Sequence, residues 1–183
     1  MTPAPDLVDL RPGRQDDLEQ CLGVWIEASA ARDGRQVDGV AARARGKFDR
    51  TIAWTVAADR GGDVVGFAVG TPPGSGLASD PPGAAVLGLL AVAPRAQGAG
   101  LGRRLLRDVT GLLVREGYSR AVLHVLADNA GAVSLYERDG WVPWGDPVEH
   151  SLLRRDSQTY VRDLTLAVHH DVAGTSTPSG PRA

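Results

Sequence analysis

Cysteine is nearly absent from this 183-residue chain. Cys21 stands alone, which excludes a disulfide framework within the chain and any cysteine-based metal site. Its neighbours Leu18, Leu22 and Trp25 mark it as a buried helix residue and not a reactive thiol. Lysine is equally scarce, Lys47 being the only one among 20 basic residues. No excess of either charge exists. A net charge of -2 and a pI near 6.1 give no electrostatic case for nucleic acid or an anionic membrane as partner. The longest apolar run, residues 84–93, is too short to span a bilayer. Met1 to Leu10 has no basic stretch followed by an apolar one, so no signal peptide is expected and a cytoplasmic location is. His150, His169 and His170 lack ligand spacing with any acid or further histidine, and no metal is expected.

What is present is a chain that is 43% hydrophobic, enough for one domain with its own core. After a flexible lead over 1–6, alternation over 7–11 predicts a strand closed by Pro12-Gly13. Apolar residues at 18, 21, 22, 25 and 26 predict a helix over 16–31, and a weaker helix follows over 37–49. Strands are expected over 51–58 and 64–71, joined by the hairpin turn Asp59-Arg60-Gly61-Gly62-Asp63. A Pro/Gly-rich surface loop covers 72–83.

Residues 85–93 are apolar at nearly every position, as in a strand covered on both faces. An amphipathic helix over 100–116 carries Leu101, Leu105, Leu106, Val109, Leu112 and Leu113 on one stripe and stops at Gly117. A strand over 121–127, a short helix capped by Asn129 and ended by Gly140, and strands near 142–150 and 159–168 complete the pattern. A disordered tail is expected over 169–183. The order indicates an α/β (α+β) domain built on a mixed sheet.

The strand over 85–93 runs through Pro94 into Gln97-Gly98-Ala99-Gly100-Leu101-Gly102-Arg103-Arg104 and then into the helix. Strand, glycine turn and helix N-terminus together present a row of backbone N–H groups to a phosphate. A P-loop needs Gly-Lys-Ser/Thr at the helix start, and Lys47 lies far away before Phe48. A dinucleotide fingerprint needs a third glycine at 103, where Arg103 stands, and an acidic residue ending the next strand, which is missing. Glycines at 98, 100 and 102 remove Cβ atoms from the face a ligand must approach. The alternative is a tight turn with solvated arginines.

Val92-x-Pro94, then Gln97-Gly98-Ala99-Gly100-Leu101-Gly102 and Leu105-Leu106, resembles the acetyl-CoA motif of the GNAT family of N-acetyltransferases. A second signature of that family follows as Asn129-x-x-Ala132-x-x-Leu135-Tyr136-Glu137-Arg138-Asp139-Gly140-Trp141. Gln97 stands where arginine is commoner, and Trp141 where phenylalanine is. The resemblance covers residues 7–168, which it marks as one GNAT domain, with its specificity in 86–141.

That resemblance implies the GNAT acyl-CoA N-acyltransferase fold: a mostly antiparallel mixed sheet, flanked by helices and splayed between its fourth and fifth strands beside a bulge near Leu90–Ala91. It implies acetyl-CoA as cosubstrate, held by Leu90, Ala91 and Val92 along the strand, by Gln97, Gly98, Ala99, Gly100, Leu101, Gly102 and Arg103 at the pyrophosphate, and by Asn129, Ala132 and Tyr136. The reaction implied is direct attack of a primary amine on the thioester. The Leu90 N–H then polarises the carbonyl, and the Tyr136 phenol, of pKa about 10, protonates the departing thiolate. His124 falls where ribosomal-protein N-terminal acetyltransferases carry a glutamate base, and an imidazole of pKa about 6.5 suits proton removal. Glu27, Asp80 and Glu149 are weaker base candidates, read as solvated surface acids.

The acceptor, a small-molecule amine or a peptide N-terminus, is expected against Trp25, Glu27 and residues 28–37, the 72–83 loop and the 143–157 segment. Trp25, Trp54 and Trp144 are candidates for an aromatic wall. A homodimer is common in the resembling family, though no interface signature is visible. The rival reading is a non-catalytic acyl-CoA-binding regulatory module of the same fold.

Overall fold

Alternating and fully apolar segments assemble into seven strands of one sheet in the computed structural model, which describes residues 8–165. The strands are β1 (Asp9–Pro12), β2 (Ala53–Ala58), β3 (Val64–Thr71), β4 (Ala85–Val92), β5 (Arg120–Leu126), β6 (Val142–Glu149) and β7 (Asp156–Asp163). Their spatial order is β1-β2-β3-β4-β5-β7-β6, and only the β4–β5 pairing is parallel. Helices α1 (Leu18–Asp33) and α2 (Val40–Phe48) cover one face, α3 (Leu101–Arg115) and α4 (Ala130–Arg138) the other. The expected lead over 1–6 and tail over 169–183 lie outside the described residues, as does the end of the last expected strand. That strand, β7, begins at Asp156, earlier than its composition indicates.

The two cores divide as the side-chain periods require. Leu101, Leu105, Leu106, Val109 and Leu113 of α3 pack with Ala57, Val65, Ala68, Leu87, Leu123 and Tyr160 of the sheet. Leu18, Cys21, Leu22 and Val24 of α1 pack with Val56, Phe67, Val69, Leu89 and Ala91. Strand β4 contributes to both faces, but its phase changes along its length. Leu87 faces α3 whereas Leu89 and Ala91 face α1 and α2, since the register passes from Gly70↔Leu87 to Val69↔Leu89 and leaves Gly88 unpaired. This one-residue bulge, absorbed by a glycine, turns the strand over. The bulge expected near Leu90–Ala91 therefore sits at Gly88. An uninterrupted apolar run carries no mark of where its phase switches.

Edge strand β6 is exposed along its whole length. Pro143 and Pro147, with a register irregularity between Trp144 and Val148, limit its capacity to pair with another strand. No helix among the described residues is long and apolar enough to cross a membrane.

Candidate active site

The parallel β4–β5 ladder holds only Ala85↔Ala121, Val86↔Val122 and Leu87↔Leu123. Beyond the Gly88 bulge the two strands separate. The direction of the freed groups follows from the pairing with β3. Ala93 N–H bonds to Val65 O at 2.8 Å, so 93 and 65 form a hydrogen-bonded pair. Alternation along an antiparallel ladder then turns the N–H and C=O of Leu90 and Val92 away from β3, into the gap. The Gln97 side-chain amide donates to Val92 O at 3.0 Å and covers that carbonyl.

The strand ends in a short 3-10 turn, Pro94–Ala96, and the glycine turn begins. Gly98 and Gly100 hold φ of 83° and 74°, the left-handed region that glycine adopts without strain. A Cβ at either would meet no protein atom within 4 Å, so both open toward solvent. Gly100 is the N-cap of α3 and supplies no side-chain cap, and the first helical bond is Arg104 N–H to Gly100 O at 3.2 Å. The backbone N–H groups of residues 98–103 consequently have no acceptor among the described residues. A row of unpaired donors at the positive end of a 15-residue helix, with nothing on its open side, fits a pyrophosphate. Arg103 is exposed beside it. Gly102 differs: its missing Cβ faces Leu135 and Val92, not the open side.

Tyr136 lies on the inner face of α4, 8% exposed, edge-on to Trp141 with ring centroids 6.2 Å apart. Its hydroxyl has no hydrogen-bond partner among the described residues, and burial pushes the phenol well above its ordinary pKa. The helix is firmly placed. Asn129 Oδ1 accepts the Ala132 N–H at 3.3 Å, as the expected N-cap does. Tyr160 donates to Glu137 at 3.0 Å, and Asp139 takes Arg107 and Arg162.

His124 occupies β5 one residue past the last β4–β5 pair, and its side chain lies on the α1/α2 side with that of Thr159 beside it. Its Nε2 is 2.8 Å from Asp80 Oδ1. Asp80 comes from the 72–83 loop and is not the solvated acid expected: its side chain is 7% exposed, and Oδ2 accepts the Leu77 N–H at 2.9 Å. Lys47, from the end of α2, completes this side. Its stem lies over the Gly88 bulge and its ammonium donates to Ser75 O at 3.0 Å, with burial lowering its pKa. Lys47 was not legible as a site residue, and Asp80 was legible only as a weaker base candidate and not as the buried partner of His124, because both contacts arise through tertiary packing.

The remaining candidates are not brought together. Trp25 stacks edge-on to Phe67, and Trp54 edge-on to Phe48, within the α1/α2 core. Trp144 stands on the exposed edge strand, its indole N–H on Ser79 O at 3.3 Å. No common aromatic wall forms from these three. Glu27 pairs with Arg95 and Glu149 with Arg154, both at the surface as expected. Among the described residues no group of three or more histidine, cysteine or acidic side chains is placed to hold a metal.

Residues 19–141 match the acetyltransferase (GNAT) family. The chain is 33% identical over 159 residues to a mycothiol acetyltransferase of Salinispora tropica, an alignment covering 82% of this chain and 50% of that protein. It thus spans about half the length of that relative. Among solved structures, a GNAT N-acetyltransferase from Kribbella flavida superposes with a TM-score of 0.67 at 23% identity, over 87% of this chain and 99% of that one. A ribosomal-protein alanine N-acetyltransferase from Escherichia coli does so with a TM-score of 0.66 at 22% identity, over 86% and 94%. The family match and the shared fold agree with the splayed sheet and its glycine turn: the chain belongs to the GNAT acetyltransferase family.

Proposed function

We propose that this chain transfers an acetyl group from acetyl-CoA to a primary amine by direct attack of the amine on the thioester. The observation that carries the reading is the gap between β4 and β5, flanked by the row of unpaired N–H groups at 98–103. When bound, acetyl-CoA supplies the thioester carbonyl and the thiolate leaving group. The backbone N–H of Leu90 turns into the gap and polarises that carbonyl. Residues 90–92 hold the pantetheine arm as an added strand would be held, with Gln97 moving off Val92 O to free it. Residues 97–103 hold the pyrophosphate, with Asn129 and Ala132 at the arm. Tyr136 donates its proton to the sulfur, a role that suits a phenol kept protonated by burial. His124 accepts the proton that the amine loses.

The 72–83 loop, Lys47 and the α1–α2 connection bound the acceptor side. A small-molecule amine is the first acceptor to test, because a relative covering most of this chain is named for mycothiol. A peptide N-terminus is the second. The test is thiol release from acetyl-CoA across an amine panel of both kinds, run with the parent chain and Tyr136→Phe. Turnover that collapses in the variant supports the mechanism. Turnover unimpaired by the substitution removes Tyr136 from it, and none from the parent contradicts the function.

A further inference from the structure

We propose that Asp80 is the positioning residue for His124, holding the neutral imidazole as its Nε2–H tautomer so that Nδ1 is the atom that takes the proton. The inference rests on His124 being the base. An ionised carboxylate only accepts hydrogen bonds, so in the 2.8 Å contact with Asp80 Oδ1 the donor is His124 Nε2–H. In a neutral ring the proton is then absent from Nδ1, which has no partner among the described residues. The ring keeps some solvent exposure, 19% for the side chain, while Asp80 has little.

Several independent features hold the carboxylate in place. Its second oxygen receives the Leu77 N–H at 2.9 Å. Gly76 leaves the room: a Cβ there would stand 2.1 Å from Asp80 Oδ2 and 2.8 Å from His124 Cε1. The loop bearing Asp80 is fastened at three points, by Lys47 on Ser75 O, by the Thr71–Ser75 hydroxyl pair at 2.6 Å, and by Trp144 on Ser79 O. The groups facing the pair are the Lys47 ammonium from α2, opposite in charge to Asp80, and the uncharged Thr159 from β7. Together they make the 72–83 loop part of the catalytic apparatus and not a solvated connection.

The proton path balances. Nδ1 takes one proton from the amine nitrogen as the carbon–nitrogen bond forms, and Tyr136 gives one to sulfur as the carbon–sulfur bond breaks. Solvent restores both side chains. Asp80 stabilises the imidazolium between these events without touching substrate.

The test needs a readout besides turnover. In the intact chain labelled with nitrogen-15, imidazole NMR at a pH above the histidine pKa reports the tautomer directly. The expected result is Nε2–H for His124 in the parent and a tautomer mixture in Asp80→Asn. Gly76→Ala should give the same mixture by displacing the carboxylate. In kinetics, Asp80→Asn should lower kcat roughly tenfold to a hundredfold, with KM for acetyl-CoA unchanged. An Nδ1–H tautomer in the parent overturns the proposal, as does an Asp80→Asn chain with unchanged tautomer and kcat. A His124→Gln chain that keeps full kcat overturns the base assignment itself. The two failures are distinguishable because the tautomer is read without catalysis.

Discussion

Gly100 and Gly102 sit two residues apart at the start of α3, and the structure assigns them opposite responses to the same added methyl. Gly100 holds φ of 74°, so Gly100→Ala forces a left-handed alanine at a cost of about 1–2 kcal/mol. For a chain of this length that lowers Tm by about 2–4 °C per kcal/mol. The added Cβ meets no protein atom within 4 Å and projects into the open side where the pyrophosphate is held. Gly102 is a helical residue whose Cβ would lie 3.5 Å from Leu135 and 3.9 Å from Val92, ordinary contact distances. Gly102→Ala should therefore gain stability, by up to about 1 kcal/mol, from reduced chain entropy within a helix. Calorimetric titration with acetyl-CoA separates binding from stability. Gly100→Ala should weaken Kd at least tenfold, about 1.4 kcal/mol, and Gly102→Ala should change it less than threefold. Equal affinity in both variants and the parent would refute the cradle, and so would equal loss in both.

Other outcomes follow from named contacts. Tyr136→Phe should lower kcat by about 10²–10⁴ with little change in stability, because the hydroxyl has no hydrogen-bond partner to lose. Burial raises this phenol, so its proton stays available beyond the ordinary tyrosine range, and an alkaline loss of kcat should start above pH about 10. Cys21 is fully buried and its thiol is pushed up to about 12, chiefly by burial. Native protein at pH 8 should resist thiol reagents that react at once in denaturant, and rapid native labelling would contradict the packing. The same shift makes stability full below the unfolded thiol pKa and progressively lost as pH rises toward 12. Asp33 moves the other way. Hydrogen bonds from Arg32 and then Arg155 hold its carboxyl down to about 2 against the cost of burial. Its stabilisation, about 2 kcal/mol, is present above the ordinary carboxylate pKa and lost as pH falls from 3.8 toward 2. Acid titration of denaturation midpoints should show that slope in the parent and not in Asp33→Asn.

Local signals carried most of the elements. Val64–Thr71 is a strand over the residues that its β-branched and small side chains mark, and Asn129 caps α4 as its place before the helix indicates. The glycine turn was legible because its spacing reflects backbone geometry that only glycine takes easily. What could not be read depends on distant partners. The phase switch at Gly88 is hidden in a run apolar on both faces. Asp80 looks solvated until the loop closes on His124, 44 residues away. Arg155 reaches Asp33 across 122 residues and Asp128 across 27, tying the start of β7 to the end of α1. Trp25 and Trp54 have the composition of a ligand wall but serve the core. Periodicity alone does not separate those roles.

On the proposed reading, the gap between β4 and β5 supports acyl transfer and not only acyl-CoA binding. Incubating the chain with acetyl-CoA carrying a carbon-13 acetyl group and a mixed amine panel, then reading products by mass spectrometry, tests it directly. Acyl transfer would give labelled amide on one class of amine together with stoichiometric free CoA, abolished by combining Tyr136→Phe with His124→Gln. Tight acetyl-CoA binding with no labelled amide from any amine would contradict it and leave a binding module in its place.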